Sequence, residues 1–257
     1  MNRLSVTGLT RRFGGLVAND AVSFDVPVEG VFAIIGPNGA GKTTLFSMIS
    51  GFLEPSAGRV VFEGEDITGT PPERIAAQGL VRTFQLAQLF QDLTVIENVK
   101  VGRHVRTKAG LFAALARPGW ARREEAETDR VARELITFVG LEAQSEARAS
   151  ALPYGQQRLL EIARALAAEP KLLLLDEPAA GLNHDETARL SDIIRRVSSR
   201  GTTVLLIEHD MQLVMKTADR IAVLNFGRKI AEGTPDDVQN NPDVLDAYLG
   251  GVEMLHD

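Results

Sequence analysis

Hydrophobic positions in this chain gather in short, dense runs. Val31–Ile35, Leu172–Leu175 and Val204–Ile207 are continuous apolar stretches of four or five residues. Such runs fit strands buried on both faces of a parallel sheet, whereas strands with one wet face alternate. Leu4–Val6, Val22–Val26 and Val60–Phe62 read as further short strands separated by turns. Glycine-rich sequence follows Ile35, and Thr43–Ser50 then reads as a helix. Between Gln85 and Pro170 the texture shifts to Ala, Arg, Glu and Leu. Asp129–Phe138 and Gln156–Ala168 there have helical spacing, the second stopping near Pro170. Strands flanking a helical middle predict an α/β core carrying a mostly helical insertion.

Composition narrows the class. With 257 residues, 44% of them hydrophobic, the chain can bury a sizeable core as one large domain or two small ones. A net charge of -6 and an aromatic content of 5% argue against a nucleic-acid partner, which calls for a basic face and stacking rings. The absence of cysteine excludes a disulfide scaffold and a zinc–thiolate site. Residues 1–15 contain no apolar core of the kind a secretory signal needs. The longest apolar runs fall far short of the roughly 20 residues that span a bilayer, so work at a membrane would be done from its surface.

The strongest chemical signal is the run Gly36, Pro37, Asn38, Gly39, Ala40, Gly41, Lys42, Thr43, Thr44, which fits G-x-x-x-x-G-K-[ST] between an apolar strand and a helix. Glycines let the backbone curl so that consecutive N–H groups point at phosphate oxygens. The helix beginning near Lys42 presents its positive end to the same anion. Lys42 is the residue to reach the β- and γ-phosphates of a nucleotide, and the Thr43 hydroxyl is the one to ligate Mg²⁺.

A second signal is acidic. Four leucines, Leu172–Leu175, lead into Asp176 and Glu177, so a buried strand delivers two carboxylates at its C-terminal end, where ligands bind in open α/β sheets. Asp176 would hold Mg²⁺ and Glu177 would polarise an attacking water as general base. A strand that simply ends in solvated acids is the plain alternative, weakened by the phosphate loop earlier in the chain. Asp66–Gly69 fits D-x-x-G, but no N-K-x-D guanine-reading element accompanies it.

The run Leu152, Pro153, Tyr154, Gly155, Gln156 precedes the acidic strand and opens a helix. It resembles the L-S-G-G-Q signature of ATP-binding-cassette (ABC) ATPases. Two residues depart from that pattern: Pro153 stands where serine is usual, and Tyr154 where the first glycine is usual. In that family the signature of one protomer caps the γ-phosphate held by the other. The same resemblance makes Gln85 the glutamine-loop residue, a Mg²⁺ or water contact that senses the transmembrane partner. It makes His209 the switch histidine, and Gly181, Leu182 and Asn183 the D-loop, with Asn183 where aspartate is commoner. Phe13 is similar to the aromatic that stacks on adenine, although a core role is open to it too.

The resemblance spans about Leu4 to Gly250. It implies a P-loop NTPase of the ABC ATPase fold: a RecA-like core with an antiparallel β-subdomain and an inserted helical subdomain over about 86–165, followed by a C-terminal tail over about 235–257. Stretches around Arg82–Gln85, Leu93–Val99, Glu177–Asn183 and Asn241–Gly250 look like the branched-chain amino acid importers of that family. ATP and Mg²⁺ are the implied cofactors. The implied partners are two transmembrane permease subunits, a second homologous ATPase (or a homodimer in isolation) and an extracytoplasmic solute-binding protein. The implied location is peripheral, on the cytoplasmic face of the membrane. Related importers carry urea, amides or other small solutes. A soluble ABC ATPase would carry coiled coils, zinc motifs or a second cassette, none of which this sequence has.

Residues 103–123 hold Arg103, Arg106, Lys108, Arg117, Arg122 and Arg123 and no acid. Such a stretch can face anionic lipid or a permease loop, where each basic residue contributes ~1 kcal/mol. It can equally be a solvated helix pair, partnered in part by Glu124, Glu125 and Glu127, and that reading is favoured.

Overall fold

The computed structural model describes residues 1–83, 89–106 and 119–253. The chain forms two compact units, residues 1–82 with 171–257, and residues 83–170. In chain order the elements are β1 (Asn2–Phe13), β2 (Leu16–Pro27), β3 (Val31–Ile35), α1 (Lys42–Ile49), β4 (Ala57–Phe62), β5 (Glu65–Asp66), α2 (Pro72–Gln78) and β6 (Leu80–Arg82). The second unit contributes α3 (Val95–Gly102), α4 (Gly119–Val139) and α5 (Tyr154–Leu166). The first unit then resumes with β7 (Leu172–Asp176), α6 (His184–Ser198), β8 (Thr203–Ile207), α7 (Met211–Thr217), β9 (Arg220–Asn225), β10 (Arg228–Gly233), α8 (Pro235–Gln239) and α9 (Pro242–Glu253).

The first unit holds two sheets. One is antiparallel, in the order β2-β1-β4-β5; the other runs β10-β9-β3-β8-β7-β6 and is parallel except for β10. Every residue of β3, β7 and β8 is buried, which is why these strands are apolar but for Asp176 at the end of β7 and Thr203 at the start of β8. β1 and β2 instead send Leu4, Val6, Val22, Phe24 and Val26 inward and leave polar residues between them. These side chains join Phe32, Ile34, Leu45, Phe46, Leu174 and Leu205 in one core. In register, β3 pairs with β8 and β8 with β7, with Asp176 opposite Ile207. The C-terminal ends of three neighbouring strands therefore emerge side by side, and each leads into a predicted site segment.

Within the second unit, α3 starts on a reciprocal capping box: Thr94 accepts from the Glu97 N–H, and the Glu97 carboxylate accepts from the Thr94 N–H. α4 is a wet-faced helix with Arg130 bridging Glu127 and Glu134, and Arg133 paired to Asp129. Of the basic stretch, Arg103 pairs with Glu169 at 2.7 Å and lies 3.9 Å from Glu127. Its Lys108 and Arg117 lie outside the described residues, as does Gln85. Among the described residues no helix is long and apolar enough to cross a membrane.

Candidate active site

The phosphate loop connects β3 to α1, and its geometry depends on glycine at two points. Gly36 has φ of 151°, and a Cβ there would sit 2.1 Å from the Leu224 carbonyl oxygen. Gly41, at φ 94°, would place one 2.4 Å from the Ala18 carbonyl oxygen. Both positions combine left-handed backbone with contact against a neighbouring strand, so a larger residue would open the loop. The Lys42 ammonium folds back into the loop and donates to the Gly36 carbonyl at 2.7 Å and the Pro37 carbonyl at 3.0 Å. Burial pushes its pKa down, against the pull of the Glu177 and Asp176 charges. A cleft of about 440 Å³ opens above the loop. Residues 38–44 line it, together with Phe13, Leu16, Val17, Ala18, Glu177, Phe226 and Gly227. Phe13 is 45% exposed, with the Arg11 guanidinium 4.7 Å from its ring centre. It is therefore a ring on the cleft wall, not a core residue.

Asp176 and Glu177 end β7. Asp176 is buried and accepts from the Arg82 guanidinium at 2.7 Å, while Arg82 also donates to the Ser47 and Ser50 hydroxyls at 3.2 and 3.1 Å. Burial pushes the Asp176 carboxyl up, partly offset by the Arg82 hydrogen bond and charge. Glu177 adopts φ of 45°, uncommon for a side chain of its size, and its N–H donates to the Ile207 carbonyl of β8 at 2.9 Å. His209 follows β8, and its Nδ1 stands 3.8 Å from the Glu177 carboxylate. Lys42, Glu177 and His209 thus come from the ends of three adjacent strands.

Gly181 and Leu182 lead into α6, and Asn183 is its N-cap. The Asn183 amide oxygen accepts from the Glu186 N–H at 3.0 Å, and the Glu186 carboxylate accepts from the Asn183 N–H at 3.0 Å. The side chain at this loop position therefore has a local structural task. In the second unit, Pro153 is the N-cap of α5, with no side-chain cap bond. Tyr154, 41% exposed, lies against the Arg158 guanidinium at 5.3 Å, while Leu152 is buried and its carbonyl accepts from the Gln157 amide at 3.0 Å. The helix N-terminus still offers backbone N–H groups, but without a capping hydroxyl.

Some site residues carry no motif of their own. Arg82 and Glu208 sit inside stretches recognisable from sequence, yet their partners lie far along the chain. Phe226 and Gly227, on the cleft rim, belong to the turn between β9 and β10. Tyr248 of α9 is half-buried against the Gly36 backbone, and burial pushes its phenol up to about 12. Asp66, of the D-x-x-G run, pairs with Arg59 and caps a turn at Thr68 in the antiparallel sheet, away from the strand ends that form the cleft.

A phosphate loop at the end of a central parallel strand, with an acid pair ending another strand of that sheet, defines a P-loop nucleotide-binding ATPase. The chain belongs to the ABC transporter family, whose model matches residues 19–180. A second model, for branched-chain amino acid ATP-binding cassette transporters, matches residues 228–253, the segment that contains Tyr248. The high-affinity branched-chain amino acid transport ATP-binding protein LivG of Escherichia coli (strain K12) is 46% identical over 96% of this chain and 97% of its own. BraF of Pseudomonas aeruginosa, of the same description, matches at 46% over the same shares. Among solved structures, the ADP conformation of MJ1267, an ATP-binding cassette of an ABC transporter, superposes with a TM-score of 0.85 at 34% identity, covering 97% of this chain and 99% of that one.

Proposed function

We propose that this chain is the ATP-hydrolysing subunit of a branched-chain amino acid importer. It would sit peripherally on the cytoplasmic face of the membrane, beneath two permease subunits fed by an extracytoplasmic binding protein, and beside a second, homologous ATPase. The observation that carries the reading is the convergence of Lys42, Glu177 and His209 at three adjacent strand ends, in a chain similar along nearly its whole length to LivG.

In this reading the loop amides and Lys42 neutralise the β- and γ-phosphates of ATP, and Phe13 supports the adenine. The Thr43 hydroxyl and the Asp176 carboxylate are hard oxygen donors suited to Mg²⁺, which such sites hold with few protein ligands beside the phosphates. Bound there with Gln85, the ion would neutralise charge on the β- and γ-phosphates. Glu177 takes a proton from the attacking water as the bond to the leaving oxygen breaks, and His209 donates to the γ-phosphate. The signature at Leu152–Gln156 acts on the nucleotide of the opposite protomer. Pro153 supplies no hydroxyl there, and this inequality favours a heterodimer. ATP closes the pair and hydrolysis reopens it, driving the permeases between outward and inward access.

Uptake of labelled leucine, isoleucine and valine in a strain deleted for this chain tests the reading. Uptake should fall and return with the wild-type chain but not with Lys42→Ala. Unchanged uptake would overturn the solute assignment, and a purified transporter with two copies of this chain would overturn the heterodimer.

A further inference from the structure

Glu208 follows β8 directly and is fully buried. Its Oε1 accepts from the Ala179 N–H at 2.8 Å, and its Oε2 accepts from the N–H groups of His209 at 3.0 Å and Asp210 at 3.3 Å. We propose that Glu208 is a positioning residue for hydrolysis, a clamp that fixes the segment carrying Glu177 against the turn carrying His209. The inference rests on the assignment of Glu177 as general base.

Three observations support it. First, a carboxylate buried without a lysine or arginine ion pair among the described residues is unfavourable unless its hydrogen bonds do something a neutral side chain could not. Here the two oxygens serve two different segments, and all three donors are backbone N–H groups. Second, Glu177 sits at φ 45°, a conformation that persists only where surrounding contacts over-determine it. One restraint is its own N–H bond to Ile207, and Glu208 supplies another two residues further on. Third, the His209 Nδ1 is 3.8 Å from Glu177 Oε2 and 3.8 Å from Glu208 Oε2. The residue that sets the turn therefore also flanks the imidazole.

Glutamine is the informative substitution. It keeps the shape, but its NH₂ must face one of the N–H donors that the carboxylate now accepts, so one side of the clamp opens. The experiment measures single-turnover ATP hydrolysis, nucleotide affinity and thermal midpoint for the full chain assembled with its membrane partners. Variants are Glu208→Gln, Glu177→Gln and the pair. Glu208→Gln should hydrolyse roughly ten- to a hundredfold more slowly with nucleotide affinity unchanged, as expected of misplaced catalytic groups. Added to Glu177→Gln, it should cause no further loss. Wild-type hydrolysis in Glu208→Gln overturns the proposal. So do parallel losses of affinity and thermal midpoint, or a full multiplicative loss on the Glu177→Gln background, each of which marks a purely structural role. If Glu208→Gln does not fold, Glu208→Asp, too short to reach both segments, is read by the same criteria; failure of both to fold also assigns a structural role. Wild-type hydrolysis by Glu177→Gln would instead overturn the general-base assignment.

Discussion

The Nδ1 of His209 lies 3.8 Å from Oε2 of Glu177, beyond direct hydrogen-bonding range, with the imidazole more than half exposed and the carboxylate largely covered. The sheet sets this neighbourhood: β7 and β8 are in register with Asp176 opposite Ile207, so Glu177 and Glu208 leave their strands at the same level and His209 follows one residue on. The backbone of Glu177 is fixed at φ 45° with its N–H donating to the Ile207 carbonyl, while the His209 imidazole stands open to solvent. One strand end thus presents a largely covered carboxylate and its neighbour an exposed imidazole.

Glu177→Gln should lower ATP hydrolysis roughly 10²–10⁴-fold, because the amide cannot accept the water's proton. Nucleotide affinity should hold, since the shape is retained and the phosphate contacts lie on the loop. Steady-state phosphate release and equilibrium nucleotide titration together check this; a wild-type rate would move the base elsewhere.

Lys42→Ala should weaken ATP binding by about 10- to 100-fold, the equivalent of one charge-assisted contact worth ~1.5–3 kcal/mol. The loop carbonyls of Gly36 and Pro37 also lose their donor, so the empty loop should loosen as well. Fluorescent nucleotide titration measures the first effect and amide exchange over residues 36–42 the second.

Glu63 reports on acid stability. Burial raises its pKa, but hydrogen bonds from Lys171 and Arg3 outweigh that and leave it below its ordinary 4.5. A lowered folded pKa contributes stability that is present above the unfolded value and lost as pH falls through the folded one. Glu63→Gln should therefore cost ~0.2–1 kcal/mol at neutral pH, with the difference from wild type shrinking as pH falls below the ordinary carboxylate range and through the lowered folded value. Urea unfolding at a series of pH values would reveal it, and a deficit that persists in acid would assign the loss to packing.

Much of this architecture is legible locally, because β3, β7 and β8 are buried on both faces and so are apolar except at Asp176 and Thr203 on their ends. Their end residues then announce the chemistry. β1 and β2 are harder: each runs for 12 residues, but register shifts interrupt the alternation, so only Leu4–Val6 and Val22–Val26 stand out. α6 hides its start, since Asn183 looks like a loop residue and is in fact the cap. The roles of Arg82 and Glu208 depend on pairings across 94 and 29 residues, which no local pattern encodes.

Arg82 gives the sharpest test of the buried charge beneath the site. Its guanidinium bridges Asp176, Ser47 and Ser50 and lies 5.8 Å from the Phe46 and Phe52 ring centres, with both members of the ion pair nearly inaccessible. Arg82→Ala would leave the Asp176 carboxylate buried and uncompensated, a loss of about 3–5 kcal/mol. Arg82→Lys keeps the charge without the planar fork and should fall between the two. The Asp176 carboxyl is already held above its ordinary range by burial, and removing Arg82 takes away the largest opposing influence. A raised folded pKa favours the folded state at low pH and loses that benefit as pH rises through it. The Arg82→Ala deficit should accordingly be largest at neutral pH and narrow on acidification, while Arg82→Ala combined with Asp176→Asn should cost less than the sum of the two. Strict additivity in urea unfolding, at a pH where Asp176 is ionised, would mean that the pair contributes no coupling.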